Sequence, residues 1–190
     1  YYSQKTSRPL LREAMKCAMA VFSLELKSME VEMDWREFRV YAGRLWRMIC
    51  CWAKSRYAEM LRPKTHVIIL EKEGVMRGVF AQPDFKCDEV YYEVKSFNIE
   101  EEKLGHVEVQ AKVFSLLGEL KLVYFVEENG YYNLKETDVE KSVEILEELW
   151  EYLALAEEKM LGKHYLLEDL LFEHPTVKYV YKNNSWTQER

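Results

Sequence analysis

The spacing of apolar residues changes from a helical period to strand-like runs after Pro63, and this change constrains the fold most. Residues 8–33 and 34–61 repeat apolar side chains at helical spacing, and Pro63 is expected to end the second helix. Asp34 and Glu37 have the spacing of a capping box at the start of that helix. Three β-branched, apolar runs follow, at residues 66–71, 75–81 and 89–97.

Helical spacing then returns, so strands and helices alternate along the rest of the chain. Residues 99–117 have the pattern of a helix, and residues 120–126 and 131–134 form a predicted hairpin around the turn signal Asn129-Gly130. Thr137 is expected to cap a long amphipathic helix that runs to Met160, and a last strand is expected at residues 177–181. The order predicts an α/β fold with one mixed central sheet flanked by helices.

Charge is distributed unevenly along the chain. The net charge is −6, but residues 1–64 hold 13 Lys and Arg against 7 Asp and Glu, whereas residues 65–190 hold 14 against 26. Such an asymmetry is a hint about partners. The basic part is expected to face a polyanion while the acidic part faces solvent.

The composition excludes several classes of protein. No run of residues is long and apolar enough for a membrane span, and no signal-peptide pattern is present, so a cytoplasmic location without a membrane partner is expected. The four cysteines include no Cys-x-x-Cys pair, which argues against a zinc knuckle and favours free thiols. The four histidines have no metal-ligand spacing.

A group of chemically active residues lies around the third predicted strand. Side chains alternate across a strand, so Glu93 and Lys95 are expected on one face, and Asp84 is expected near Glu93 at the hinge of a hairpin. Two close carboxylates form a hard oxygen site suited to Mg²⁺ or Mn²⁺. A metal ion and a lysine together promote phosphodiester hydrolysis.

Pro83-Asp84 followed by Glu93-Val94-Lys95 resembles the signature of the PD-(D/E)XK nuclease superfamily. This superfamily includes restriction enzymes, archaeal Holliday-junction resolvases and RecB-type nucleases. The resemblance implies a restriction-endonuclease-like fold in which Asp84, Glu93 and the Val94 carbonyl bind the metal and Lys95 is the catalytic lysine. The structural alternative is that Glu93 and Lys95 form an ordinary charge pair.

Two further residues are candidates for the active site. Gln110 lies in the helix after the lysine strand, where RecB-type members have a similar glutamine. Many members also place an acidic residue on the helix before the first core strand, and Glu59 is the first candidate here and Glu37 the second. Gly43 is followed at the RecB-type spacing by Arg47 instead of histidine, which favours a resolvase-like enzyme.

A basic stripe is predicted along the second helix. At 100° per residue, five cations fall within about an 80° sector opposite an apolar face. These candidate DNA-binding residues are Arg36, Arg44, Arg47, Lys54 and Arg62. A basic stripe can track a phosphate backbone, although a solvated face is the usual reason for such a pattern.

The sequence therefore predicts a single nuclease domain over residues 1–190. It divides into an N-terminal helical extension (1–33), a catalytic core (34–136) and a C-terminal helix and tail (137–190). The expected function is Mg²⁺-dependent cleavage of branched or duplex DNA by a homodimer, in recombination, repair or replication. The alternatives are a RecB-like exonuclease and a non-catalytic DNA-binding or assembly protein on a nuclease fold.

Overall fold

The computed structural model of the chain describes residues 8–28, 32–96, 105–159 and 174–189. The helices within these ranges are α1 (Arg8–Ser28), α2 (Trp35–Ala53), a 3-10 helix (Arg56–Glu59), α3 (Gly105–Ser115) and α4 (Ile145–Lys159). The strands are β1 (His66–Lys72), β2 (Val75–Ala81), β3 (Phe85–Cys87), β4 (Val90–Lys95), β5 (Leu120–Glu128), β6 (Tyr131–Val139), β7 (Thr176–Lys182) and β8 (Ser185–Glu189).

The strands form two four-stranded sheets, in the orders β2-β1-β7-β8 and β3-β4-β5-β6. The prediction of an α/β fold is confirmed, whereas the prediction of one central sheet is wrong. The reason is that β1 pairs antiparallel with β2 and parallel with β7. Both edges of β1 are therefore occupied, and β4 pairs instead with β3 in the second sheet.

The chain divides into two compact units. The first contains residues up to Met60 together with residues 96–98 and 124–135, and the second contains the remaining residues. Helix α2, which the prediction placed in the catalytic core, belongs with α1 in the first unit. The second unit contains the large core cluster, in which β1, β4, β7, α3 and α4 contribute Ile68, Tyr91, Tyr179, Phe114 and Leu146.

Helix α2 begins as predicted and ends earlier than predicted. The Asp34 side chain accepts hydrogen bonds from the backbone N–H groups of Arg36 and Glu37, and the Glu37 side chain accepts from the Asp34 N–H, which confirms the capping box. The helix ends at Ala53 because the Ser55 side chain accepts from the Tyr57 N–H and starts the 3-10 helix.

The strand candidates differ from the structure mainly at their ends. The third predicted strand, residues 89–97, is shorter in the structure, and it pairs with a short strand, β3, that the sequence did not predict. The Asn129-Gly130 turn is confirmed, since both residues have positive φ, at 53° and 78°. The final strand is confirmed as β7, and the sequence did not predict β8.

Thr137 does not cap a helix, so that prediction is wrong. It lies in β6, which continues to Val139, and α4 begins only at Ile145. The Lys121 ammonium on β5 lies 3.6 Å from Glu136 and 3.2 Å from Asp138, and these ion pairs accompany the longer strand. Met160, at which α4 was predicted to end, lies outside the described residues. Met60 is the C-cap of the 3-10 helix.

None of the helices described is both long and apolar enough to cross a membrane.

Candidate functional site

Strand β4 positions the predicted catalytic pair. It pairs with β3 around the turn Asp88-Glu89, and its side chains alternate between two faces. Glu93 is 5% exposed and is the one charged residue that is buried among those the structure describes. The Lys95 ammonium donates to Glu93 Oε1 at 2.8 Å, so the two side chains lie on one face as the sequence predicts.

Asp84 is held against β4 by a reciprocal pair of hydrogen bonds. The Val94 N–H donates to Asp84 Oδ2 at 2.9 Å, and the Asp84 N–H donates to Glu93 Oε2 at 3.3 Å. Pro83, which precedes it, is fully buried and anchors this point of the chain. Asp84 thus lies immediately before β3, and not at a hinge between β2 and β4 as predicted, because β2 belongs to the other sheet.

Helix α3 brings Gln110 to the same group. Val107, Ala111 and Phe114 are buried, which fixes the face that α3 turns toward the core. Gln110 Oε1 accepts a hydrogen bond from the Lys95 ammonium at 2.7 Å. The ammonium, whose side chain is 12% exposed, therefore lies between Glu93 and Gln110 and is held in one orientation.

The buried carboxylate of Glu93 is electrostatically strained. Burial raises its pKa above the ordinary value for glutamate, and the neighbouring Asp84 carboxylate raises it further. The hydrogen bond and charge of Lys95 lower the pKa without reversing the net direction. Negative charge at this point is thus only partly compensated, and a cation bound nearby would relieve it.

The residues present fit a hard divalent cation. Asp84 and Glu93 offer carboxylate oxygens on adjacent parts of the chain, which are the donors that Mg²⁺ and Mn²⁺ prefer. In the described chain, three or more His, Cys, Asp or Glu residues are nowhere grouped as metal ligands. Backbone oxygen, water and substrate phosphate would therefore complete the shell, as is common for Mg²⁺.

The two acidic candidates upstream lie in the first unit. Glu59 is exposed and ends the 3-10 helix, and its role in the site stays a prediction. Glu37 completes the capping box of α2, which gives its carboxylate a structural role.

The predicted basic stripe is shorter in the structure. Arg36, Arg44 and Arg47 lie on α2 and are exposed, and Lys54 is its C-cap. Arg62 does not lie on the helix, because α2 ends at Ala53, and its guanidinium donates instead to Gln82 Oε1 at 3.2 Å. The prediction that Arg62 extends the helical stripe is therefore wrong.

A polar pair that the sequence did not predict joins the start of β4 to the start of β1. The Tyr91 hydroxyl and His66 Nε2 are 3.0 Å apart, and the Tyr91 ring is buried. Burial lowers the pKa of His66, which favours the neutral ring. The spacing of Tyr91, two residues before Glu93, places both side chains on one face of the strand and is the signal that could have found this pair.

Comparisons with known proteins give little beyond the geometry. No protein-family model matches the chain, and no curated protein matches it. A solved structure titled "Crystal structure of SSO0001" is similar at 13% sequence identity, with 76% of this chain and 68% of that chain covered and a TM-score of 0.41.

Proposed function

We propose that the chain is a metal-dependent DNA nuclease of the PD-(D/E)XK type. The observation that carries the proposal is the hydrogen-bonded group of Asp84, Glu93, Lys95 and Gln110 in the second unit. The signature nominates Asp84, Glu93 and Lys95, and the likeness to RecB-type members nominates Gln110. The four residues come from the segment before β3, from β4 and from α3. An ordinary surface charge pair would not explain why the glutamate is buried, nor why it also accepts a hydrogen bond from the backbone N–H of a second acidic residue, Asp84.

The order of elements supports a restriction-endonuclease-like arrangement for this part of the chain. β1 and β2 form an antiparallel hairpin ahead of β4, and α3 separates β4 from β5. Along the chain this is the α-β-β-β-α-β order that the resemblance implies, with β4 as the third core strand, although β4 lies in a different sheet from β1 and β2. The finer fold remains part of the proposal.

Each residue of the group has a chemical task in the proposed reaction. Asp84 and Glu93, with the Val94 carbonyl, would hold the ion, which when bound polarises a phosphoryl oxygen and lowers the pKa of its water. Lys95 offers an ammonium with three N–H donors, two of which Glu93 and Gln110 accept. The third is available to stabilise charge on the phosphate or to orient the attacking water.

A RecB-like exonuclease is the second candidate, and one contact favours it. Gln110 is uncharged, and its amide oxygen accepts a hydrogen bond at 2.7 Å from the ammonium of Lys95, the candidate catalytic lysine. RecB-type members have a glutamine in this helix, as the resemblance implies. A junction-resolving endonuclease and an end-directed exonuclease differ in substrate, so branched, linear duplex and single-stranded DNA should be assayed side by side.

The proposal predicts that Asp84→Asn abolishes most metal-dependent cleavage. The full chain is incubated with each DNA form in Mg²⁺ or Mn²⁺, and products are resolved on a denaturing gel. Losing a carboxylate ligand is expected to lower the rate about 10²–10³-fold, since the metal contributes several kcal/mol of transition-state stabilisation.

Asp88→Asn is the matched control for that experiment. Asp88 is exposed in the β3–β4 turn and has φ of 53°, which asparagine tolerates well. Cleavage by this variant should equal that of the wild type. Binding of DNA without cleavage of any form in either metal would contradict the proposal and support the non-catalytic alternative.

Gln110→Ala is expected to lower cleavage by roughly tenfold while leaving the fold intact. The lost hydrogen bond is worth about 1.5–3 kcal/mol where one partner is charged, and part of this is retained by the Glu93 contact. The measurement is the single-turnover rate at saturating metal. Glu108→Ala, an exposed change on the same helix, serves as control, and equal rates for both variants would remove Gln110 from the site.

A further part of the proposal concerns assembly. A resolvase-like enzyme would act as a homodimer, because two strands must be cut in symmetry. In the structure, Leu146, Trp150 and Leu153 of α4 pack on the core of the second unit, which favours the intramolecular role for this helix face. A dimer interface would therefore lie elsewhere.

A further inference from the structure

A groove in the first unit combines cations with an exposed aromatic ring. It lies between the last turns of α2 and the β5–β6 hairpin, and its volume is about 390 Å³. One wall is formed by Arg47, Cys51 and Lys54, and the other by Tyr131, Tyr132 and Asn133. We call this feature the hairpin groove. Its volume suits a ligand of about the size of one nucleotide.

The helix wall of the hairpin groove is positively charged. Arg47, Cys51 and Lys54 follow each other at intervals of three or four residues, so they lie along one side of α2, and Arg44 continues this row about one turn before the groove. Arg47 contacts Glu127 at 3.4 Å, and no ion pair within the described ranges neutralises Lys54. The row from Arg44 to Lys54 extends roughly 15 Å, which exceeds what a single phosphate would need.

The hairpin wall presents a ring that is available for stacking. Tyr131 follows the Asn129-Gly130 turn and is 76% exposed, although its ring is large and apolar. Tyr132 is more fixed, because its hydroxyl donates to Glu127 and its ring lies 5.8 Å from the Arg47 guanidinium. An exposed tyrosine beside an ordered, cation-bearing wall is the arrangement that stacks on an unpaired base.

The form of DNA follows from the ring. In a duplex the base faces are stacked inside, so a side chain can reach only the backbone and the base edges in the grooves. A single strand exposes base faces and phosphates together. The cationic row alone would accept either form, but Tyr131 gains contact only from the single strand.

We propose that the hairpin groove binds single-stranded DNA, with Tyr131 stacking on a base while Arg47 and Lys54 contact the flanking phosphates. The inference deepens the proposed function by naming the form of DNA, and it rests on that function for the choice of DNA as the polyanion. The binding step requires no metal and no cleavage.

The test is binding of the full chain to fluorescein-labelled oligo(dT) in EDTA, followed by anisotropy over a series of salt concentrations. Tyr131→Ala is expected to weaken binding about tenfold without changing the salt dependence. Lys54→Ala is expected to weaken binding and to reduce the slope of log K against log salt by about 0.7. Tyr131→Phe should bind like the wild type, which separates stacking from folding.

Matched controls come from α4. Tyr152 is 69% exposed and Lys159 ends that helix, and alanine at either position should leave oligo(dT) binding unchanged. The inference is overturned if Tyr131→Ala binds oligo(dT) as tightly as the wild type does. It is also overturned if the wild type binds oligo(dT) and a duplex of the same length with equal affinity. Cleavage by the wild type in Mg²⁺ is measured separately. Cleavage together with oligo(dT) binding that does not depend on Tyr131 rejects the groove and keeps the nuclease, whereas Tyr131-dependent binding without cleavage rejects the nuclease and keeps the groove.

Discussion

Replacing Lys95 by alanine is expected to lower the rate of Mg²⁺-dependent DNA cleavage about 10²–10³-fold. A preorganised cation at a developing negative charge contributes roughly this factor in a site shielded from water. The Lys95 side chain is 12% exposed and is held by Glu93 and Gln110, so its ammonium is already oriented before substrate arrives. The measurement is the single-turnover rate at saturating Mg²⁺ on the DNA form that the wild type cuts best.

Removing Lys95 has a second consequence that must be separated from catalysis. The variant leaves the buried Glu93 carboxylate without its cation, and loss of one partner of a buried pair is destabilising. Lys95→Met keeps the length of the side chain and gives an independent variant, and the melting temperature of each variant is measured beside its rate. Lys112→Ala on α3 removes a partly exposed lysine and is the control. A folded Lys95 variant that cuts as fast as the wild type would exclude the catalytic role.

The residues of the candidate site were accessible to sequence reasoning because their arrangement is mostly local. Alternation along a strand places Glu93 and Lys95 together regardless of the rest of the fold. The proximity of Gln110 came from the resemblance and from the helical pattern after β4, and the contact with Lys95 is present in the structure. The roles of these residues in catalysis stay predictions.

The parts of the fold that were mispredicted depend on distant partners or on single side chains. β3 is three residues long, which is too short for any periodic pattern, and only its pairing with β4 defines it. The division into two sheets depends on β7, which reaches β1 from more than 100 residues away. Thr137 suits both a helix cap and a strand, and its neighbours on β6 and β5 decide between them.

Glu93→Gln is expected to make the metal-free protein more stable at neutral pH while removing its activity. Two effects on the free energy of unfolding compete. Glutamine avoids the burial of a negative charge beside Asp84, which is stabilising, but it loses the ion pair with Lys95, which is destabilising. The pKa of Glu93 is raised overall, which means that the neutral form of this side chain is the one that the folded state prefers. Glutamine resembles that neutral form, so the net effect should be stabilising.

The sign of the pH dependence follows from the raised pKa. Below the unfolded-state pKa of glutamate, Glu93 is protonated in both states, and the preference of the folded state for the neutral side chain is fully present in the wild type. As the pH rises through the folded-state pKa, the wild type loses that stability and the glutamine variant does not. The variant should therefore melt a few degrees higher than the wild type at pH 8, and the difference between the two melting temperatures should narrow toward pH 4.

Mg²⁺ is expected to reverse the order of the melting temperatures of the wild type and the Glu93→Gln variant. This reversal makes the prediction specific to the proposed site. Mg²⁺ that binds only the folded wild type raises its melting temperature in proportion to the logarithm of the metal concentration. The glutamine variant has lost one carboxylate ligand and should respond weakly, so the wild type overtakes it as Mg²⁺ is increased. Glu89→Gln, on the exposed end of the same hairpin, should follow the wild type at every pH and metal concentration. A Glu93→Gln protein that is less stable than the wild type at pH 8, or that gains as much from Mg²⁺, would show that the buried carboxylate serves the fold and not the ion.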